Sequence, residues 1–171
     1  MKARNFVLLL IVAFFATLPV LCGGPSGPPF TPIEPAGTDC QPVAGVLMTD
    51  IYAITPGQIN LGPSFGDLSG AVSAQILGTN PDGSFKVQHY WVSTQGDIMK
   101  FQQAALYAVA LPGLPGVFAV PWGFYTAYII PGGTGKWANA TGYITCFGMA
   151  DFNALTLVLR YRGKVCYNYG S

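Results

Sequence analysis

His89 is the single histidine in a chain of 171 residues. It is therefore the one side chain whose unperturbed pKa permits proton transfer near neutrality. At alternate positions around it stand Phe85, Val87 and Trp91, opposite Lys86, Gln88 and Tyr90, so a strand over this segment turns His89 toward an apolar interior. A lone buried histidine more commonly holds a structural hydrogen bond than serves as a base, and both roles stand for it. Carboxylates are scarce. The chain has seven Asp and Glu, with its one Glu, Glu34, in a Pro-rich segment. Asp97 and Asp151, beside Gly96 and Asn153, read as turn caps. Trp91, Tyr128 and Tyr161 fall on predicted strands and offer an indole or phenol donor to a ligand, with ordinary packing as the competing role. Trp122, Phe124 and Trp137 read as plugs for the ends of the fold. One His and the dispersed Cys40, Cys146 and Cys166 lack the spacing of a zinc site, and there is no phosphate-binding loop or dinucleotide fingerprint. No cofactor or metal is implied.

Composition limits what can position these groups. Only 15 residues are charged, about 9%, against roughly 25% in ordinary soluble domains. With a net charge of +1 there is no basic surface for nucleic acid. Residues 1–22 have the order of a secretory leader: Lys2 and Arg4, an apolar run over 6–21, then Val20 and Cys22 at the −3 and −1 positions before Gly23. The run is short of the roughly 20 residues a spanning helix needs. A lipoprotein through Cys22 is the competing reading, opposed by the bulky Leu21. A secreted or periplasmic chain without an integral membrane segment is expected. Residues 23–38, rich in Pro and Gly, read as a linker or arm. Residues 39–171 form the single folded domain.

Helical periodicity is nearly absent there. Apolar and β-branched runs bounded by Gly, Pro, Asn and Asp predict strands over 43–51, 68–76, 85–93, 98–109, 124–130, 141–147 and 155–166. Between Lys100 and Lys136 lie 35 uncharged residues, but Pro112, Pro115 and Pro121 with Gly113, Gly116 and Gly123 would break a membrane helix, so two strands around a Pro-Gly loop are predicted instead. The fold class is all-β, a closed antiparallel eight-stranded barrel, with a two-sheet sandwich as the alternative. Closure suits a chain with few charges to protect sheet edges.

The stretch 131–142, PGGTGKWANATG, resembles the glycine-rich turn, aromatic and small-residue motif of the allene oxide cyclase and dirigent barrel superfamily. Gly66-Asp67-Leu68, the strand Val87-Gln88-His89-Tyr90-Trp91-Val92 with its Gly96-Asp97 turn, and Arg160-Tyr161-Arg162-Gly163-Lys164-Val165-Cys166 follow the same order along about 100 residues. The likeness is closest to secreted bacterial members without an assigned function. It implies a barrel that binds a small hydrophobic molecule in its lumen, and often a homodimer or homotrimer. The family's plant enzymes isomerise a fatty-acid epoxide with an early glutamate. Here Glu34 precedes the first strand; Asp50, the nearest acidic residue to that end of a barrel, is the candidate ligand contact that the resemblance implies, but the motif around it does not match, so the resemblance carries the fold and not the reaction. An isomerase or cyclase acting without metal is one reading, a non-catalytic binding or structural module the second, and an outer-membrane barrel the third. The last needs a polar lumen, whereas Lys86, Gln88, Arg160 and Arg162 at alternate positions turn polar groups outward.

In an up-and-down barrel the first and last strands pair, which brings Cys40 beside Cys166. A Cys40–Cys166 disulfide is expected, with Cys146 a free thiol. Asn139-Ala140-Thr141 is a formal glycosylation sequon.

Overall fold

The computed structural model describes residues 39–51 and 58–167. The leader expected over 1–22, with Cys22, and the arm over 23–38, with Glu34, lie outside the described residues. Within them the regular structure is strand, apart from one turn of 3-10 helix at Gly135–Trp137.

The strands are β1 (Asp39–Asp50), β2 (Ile59–Gly66), β3 (Gly70–Thr79), β4 (Phe85–Ser93), β5 (Ile98–Phe101), β6 (Ala104–Leu106), β7 (Val109–Ala110), β8 (Val117–Val120), β9 (Thr126–Ile130), β10 (Thr141–Asp151) and β11 (Thr156–Tyr167). Antiparallel pairing runs β1-β2-β3-β4-β5-β9-β10-β11 and returns from β11 to β1. Eight strands thus close a barrel, and the sandwich alternative falls away. β6 continues β5 along β4, and β8 continues β9 along β10. The uncharged stretch is therefore a long hairpin, β5-β6-β7 against β8-β9, folded at the Pro-Gly loop over 111–116. At Pro121, which has no N–H to give a ladder, the chain makes a turn closed by the Phe124 N–H on the Pro121 carbonyl, with Gly123 at φ 84°.

Turn chemistry sets the hairpins. Between β3 and β4 the Asp82 carboxylate accepts from the Ser84 N–H and hydroxyl, and the Gly83 N–H donates to the Asn80 carbonyl. Between β4 and β5 the Ser93 hydroxyl accepts from the Gln95 and Asp97 N–H groups. Both turns stand where Asn, Asp and Gly cluster in the sequence.

The seam is the longest pairing in the molecule. Twelve residue pairs, from Asp39 opposite Tyr167 to Asp50 opposite Thr156, join β1 to β11. Cys40 faces Cys166 within it, and the two form a disulfide. Cys146 is a buried free thiol. On most strands one parity points inward: Val43 and Leu47, Val72 and Ala74, Val87 and Trp91, Leu159 and Tyr161 are buried, while Lys86, Arg160 and Arg162 are exposed.

β2 inverts this pattern, and no predicted strand covers it. Ile59, Leu61 and Phe65 are 52%, 59% and 54% exposed, whereas Asn60 and Ser64 point inward and are buried. Its backbone lies close against β1, where a Cβ at Gly62 would collide with the Met48 carbonyl. Two of the expected end plugs also differ. Trp137 is buried in the core, but Trp122 is 57% exposed and packs edge-on against Phe147, and Phe124 is also exposed. Turning at Pro121 carries both away from the lumen.

Removing the disulfide tests the seam. Linking positions 126 apart is worth roughly 4 to 5 kcal/mol in the loop-closure model. The double substitution Cys40→Ser, Cys166→Ser is expected to lower the denaturant-unfolding free energy by about that amount, and a digest of the unreduced protein to yield a Cys40–Cys166 linked peptide with Cys146 unlinked.

Candidate functional site

The lumen has a packed part and an open part. In the packed part Leu68, Trp91, Met99, Phe101, Trp137, Ile144 and Tyr161 are buried against one another, with the Trp91 ring 5.2 Å from that of Tyr161. The polar atoms carried by Trp91, Tyr161 and Ser64 are fully engaged. Trp91 Nε1 donates to the Leu68 carbonyl at 2.9 Å, the Ser64 hydroxyl donates to the same oxygen at 2.7 Å, and the Leu68 N–H donates to the Tyr161 hydroxyl at 2.9 Å. That hydroxyl in turn donates to the Phe65 carbonyl at 3.0 Å. Tyr161 reaches both partners because it crosses Gly45, its partner in the seam, where a Cβ would collide with the phenol.

Inward residues at the opposite ends of these strands enclose a cavity. Its walls include Leu47, Val72, Ile76, Val87, Leu106 and Leu159, together with the small Ala74, Ala108 and Ala150, whose short side chains leave the space. The cavity volume is about 70 Å³. One water requires only about 15 Å³, so the cavity is larger than a hydration site.

Four polar residues interrupt the apolar wall: Thr49, Asn60, His89 and Tyr125. Ala74 pairs with Asn60 on one side and His89 on the other, placing a methyl group between the amide and the imidazole. His89 Nδ1 lies 3.1 Å from the Ser73 carbonyl. A carbonyl only accepts, so Nδ1 carries the proton and Nε2 is left as the acceptor of a neutral ring. Burial holds the imidazole down at a pKa of about 4, opposed by the Ser73 hydrogen bond. The Tyr125 ring lies 5.3 Å from it, centroid to centroid. The Tyr125 hydroxyl and Thr49 Oγ1 are buried with no hydrogen-bond partner. Trp137 Nε1 is a third such group among the described residues, but it does not line the cavity. No lining residue carries a formal charge at neutral pH.

Of the residues singled out in the sequence, His89 alone lines this space. Trp91 and Tyr161 face the interior but belong to the packed part, and their polar atoms are used by the fold. Tyr128 lies between buried Ala127 and Ile129 and so points outward. Asp50 is exposed one position beyond inward Thr49. In each of these two cases a one-residue step changes the face. Sequence reasoning missed Thr49, Asn60 and Tyr125. Parity with Leu47 and Ile51 marks Thr49, and parity with Ala127 and Ile129 marks Tyr125. Asn60 sits on the inverted β2 and had no such signal. Cys146 offers no nucleophile, since burial pushes its thiol up to about 12. Chemically, the arrangement presents hydroxyl donors and one imidazole acceptor in an uncharged, water-poor space.

No family model, curated protein or solved structure matches the chain.

Two measurements separate these groups. Tyr125→Phe and Thr49→Val remove hydroxyls without partners, and each is expected to leave unfolding free energy unchanged within about 0.5 kcal/mol or to raise it. Tyr161→Phe strips Leu68 and Phe65 of their partner and is expected to cost about 1–3 kcal/mol. The second readout is pH. His89 has a pKa of about 4 in the fold against a reference of 6.5, so the unfolded chain binds the extra proton between these values. The stability gained by keeping the ring neutral is complete above pH 6.5 and declines as pH falls toward 4, by about 3 kcal/mol. Chemical unfolding across pH 4–7.5 should show this slope, and His89→Leu should abolish this component of it.

Proposed function

We propose that this chain is a secreted β-barrel that binds one small hydrophobic molecule in the open part of its lumen. The observation that carries the reading is the contrast between the two parts. In the packed part Trp91, Tyr161 and Ser64 are engaged with the nearby backbone, and Trp137 Nε1 is the one buried polar atom left without a partner. In the open part an apolar cavity holds two buried hydroxyls without partners and an imidazole with a free acceptor nitrogen. Largely apolar walls with a few convergent polar groups are the usual character of a small-molecule site. The resemblance to allene oxide cyclase and dirigent barrels supports the same use of the lumen. Export is supported by the leader-like residues 1–22 and by the seam disulfide, which belongs to oxidising compartments.

Catalysis is the further part of the proposal. A bound molecule held in one conformation by the walls is set up for isomerisation or cyclisation, driven mainly by shape, because burial that holds the His89 pKa at about 4 makes Nε2 a hydrogen-bond acceptor and only a weak base near neutral pH. Among the described residues no carboxylate lines the cavity, so none of them supplies the glutamate chemistry that the resemblance would imply. That observation favours a second reading, binding without turnover. An outer-membrane barrel is disfavoured by the apolar lumen, since barrels that span bilayers carry polar groups inside and an apolar belt outside.

Propylbenzene titrated into the protein and followed by calorimetry tests the lumenal site. One saturable site is expected. Ala74→Phe places a ring in the cavity and should weaken binding at least tenfold while the fold persists. Binding undiminished in the variant overturns the reading, as does failure of the natural chain to bind both propylbenzene and its alcohol 3-phenylpropan-1-ol.

A further inference from the structure

We infer that the lumen is selective for a neutral molecule carrying a hydroxyl on an otherwise apolar body, and that it rejects the corresponding carboxylate. The inference rests on the lumenal reading above and adds the chemistry of the ligand. Its basis is the set of polar groups that the fold leaves unused. Thr49 on β1 and Tyr125 just before β9 line the cavity and each carry a buried hydroxyl without a partner, and His89 on β4, with Nδ1 turned to the Ser73 carbonyl, keeps Nε2 as its acceptor. These are two groups able to donate and one able only to accept.

A hydroxyl is the simple function that answers both kinds at once. Its oxygen accepts from the Tyr125 or Thr49 hydroxyl, and its proton goes to His89 Nε2. A carbonyl oxygen accepts but leaves Nε2 without a donor. A hydrocarbon answers neither.

A carboxylate meets a different obstacle. The walls hold no Lys or Arg, and the imidazole is uncharged with its one proton on Nδ1 directed at the Ser73 carbonyl. An anion entering this space would lose its hydration without gaining a counter-charge, which is unfavourable unless the group is neutralised. The remaining wall, with Val72, Ile76, Val87 and Leu159, suits an apolar body.

Three compounds on one skeleton test this: propylbenzene, 3-phenylpropan-1-ol and 3-phenylpropanoate, titrated at pH 7.4 into the natural chain and into Tyr125→Phe and Thr49→Val. Loss of the Tyr125 hydroxyl is expected to weaken the alcohol roughly tenfold and to leave propylbenzene within about twofold, because only the alcohol uses the hydrogen bond. Thr49→Val should act in the same sense. The carboxylate is expected to bind at least roughly a hundredfold more weakly than the alcohol. If the alcohol and the hydrocarbon respond equally to both substitutions, or if the carboxylate binds as tightly as the alcohol, the inference is overturned while lumenal binding stands. If propylbenzene and the alcohol both fail to bind the natural chain, the lumenal reading falls and takes the inference with it.

Discussion

Twelve consecutive pairs between β1 and β11 turn a meander of eight strands into a tube. The rest of the structure depends on that closure. An open sheet of this composition would present two long edges with few charges to discourage pairing with another chain. Closing it satisfies both edges and creates an interior for the inward parity of every strand. The Cys40–Cys166 bond lies within the same ladder and ties the start of the domain to its end. Gly45 and Tyr161, also partners in this ladder, carry the effect inward: the phenol crosses the glycine and holds the chain at Phe65 and Leu68. Backbone closure and side-chain anchoring thus meet at one place.

Within the tube, side-chain size divides the volume. Trp91, Phe101, Trp137 and Tyr161 fill the packed part, where dense contact and paired polar atoms leave little room for change. Toward the other end the inward positions become Ala74, Ala108 and Ala150, and a cavity results. The polar atoms follow the same division with one exception, Trp137 Nε1, which is buried without a partner in the packed part. In a wholly structural interior, buried hydroxyls find partners because an unmade hydrogen bond is costly. Thr49 and Tyr125 depart from that rule at the cavity wall, beside the single histidine. Two of the three such groups among the described residues thus gather at the cavity wall.

The outer surface tells a related story about charge. Lys86, Arg160 and Arg162 are exposed, yet Ile59, Leu61 and Phe65 share that surface on β2. Scarcity of charge therefore does not mean that all apolar residues are inside. One strand presents its apolar side chains outward and buries Asn60 and Ser64, with Ser64 satisfied by the Leu68 carbonyl. Its inward polar groups are few, and β2 lies close against β1 at Gly62.

Much of the architecture was legible before any coordinates. Alternation of apolar and polar residues on β4 and β11, the Asn-Pro-Asp-Gly and Gln-Gly-Asp turns, and the prolines of the uncharged stretch are local signals, and they led to an eight-stranded barrel, its disulfide and an inward His89. The site was legible only in that one histidine. Asp50 and Tyr128 were off by a single position, because a strand's face is set by its register against neighbours and not by the residue itself. Trp91 and Tyr161 face inward as read, but whether an inward polar atom is spent on the fold or left for a ligand depends on what lies opposite it across the tube. That is a long-range fact, decided by closure. By itself the sequence determined most of the strands, their turns and the pairing of its ends; the tertiary structure alone added β2 and decided which part of the lumen is filled and which polar groups remain unanswered there.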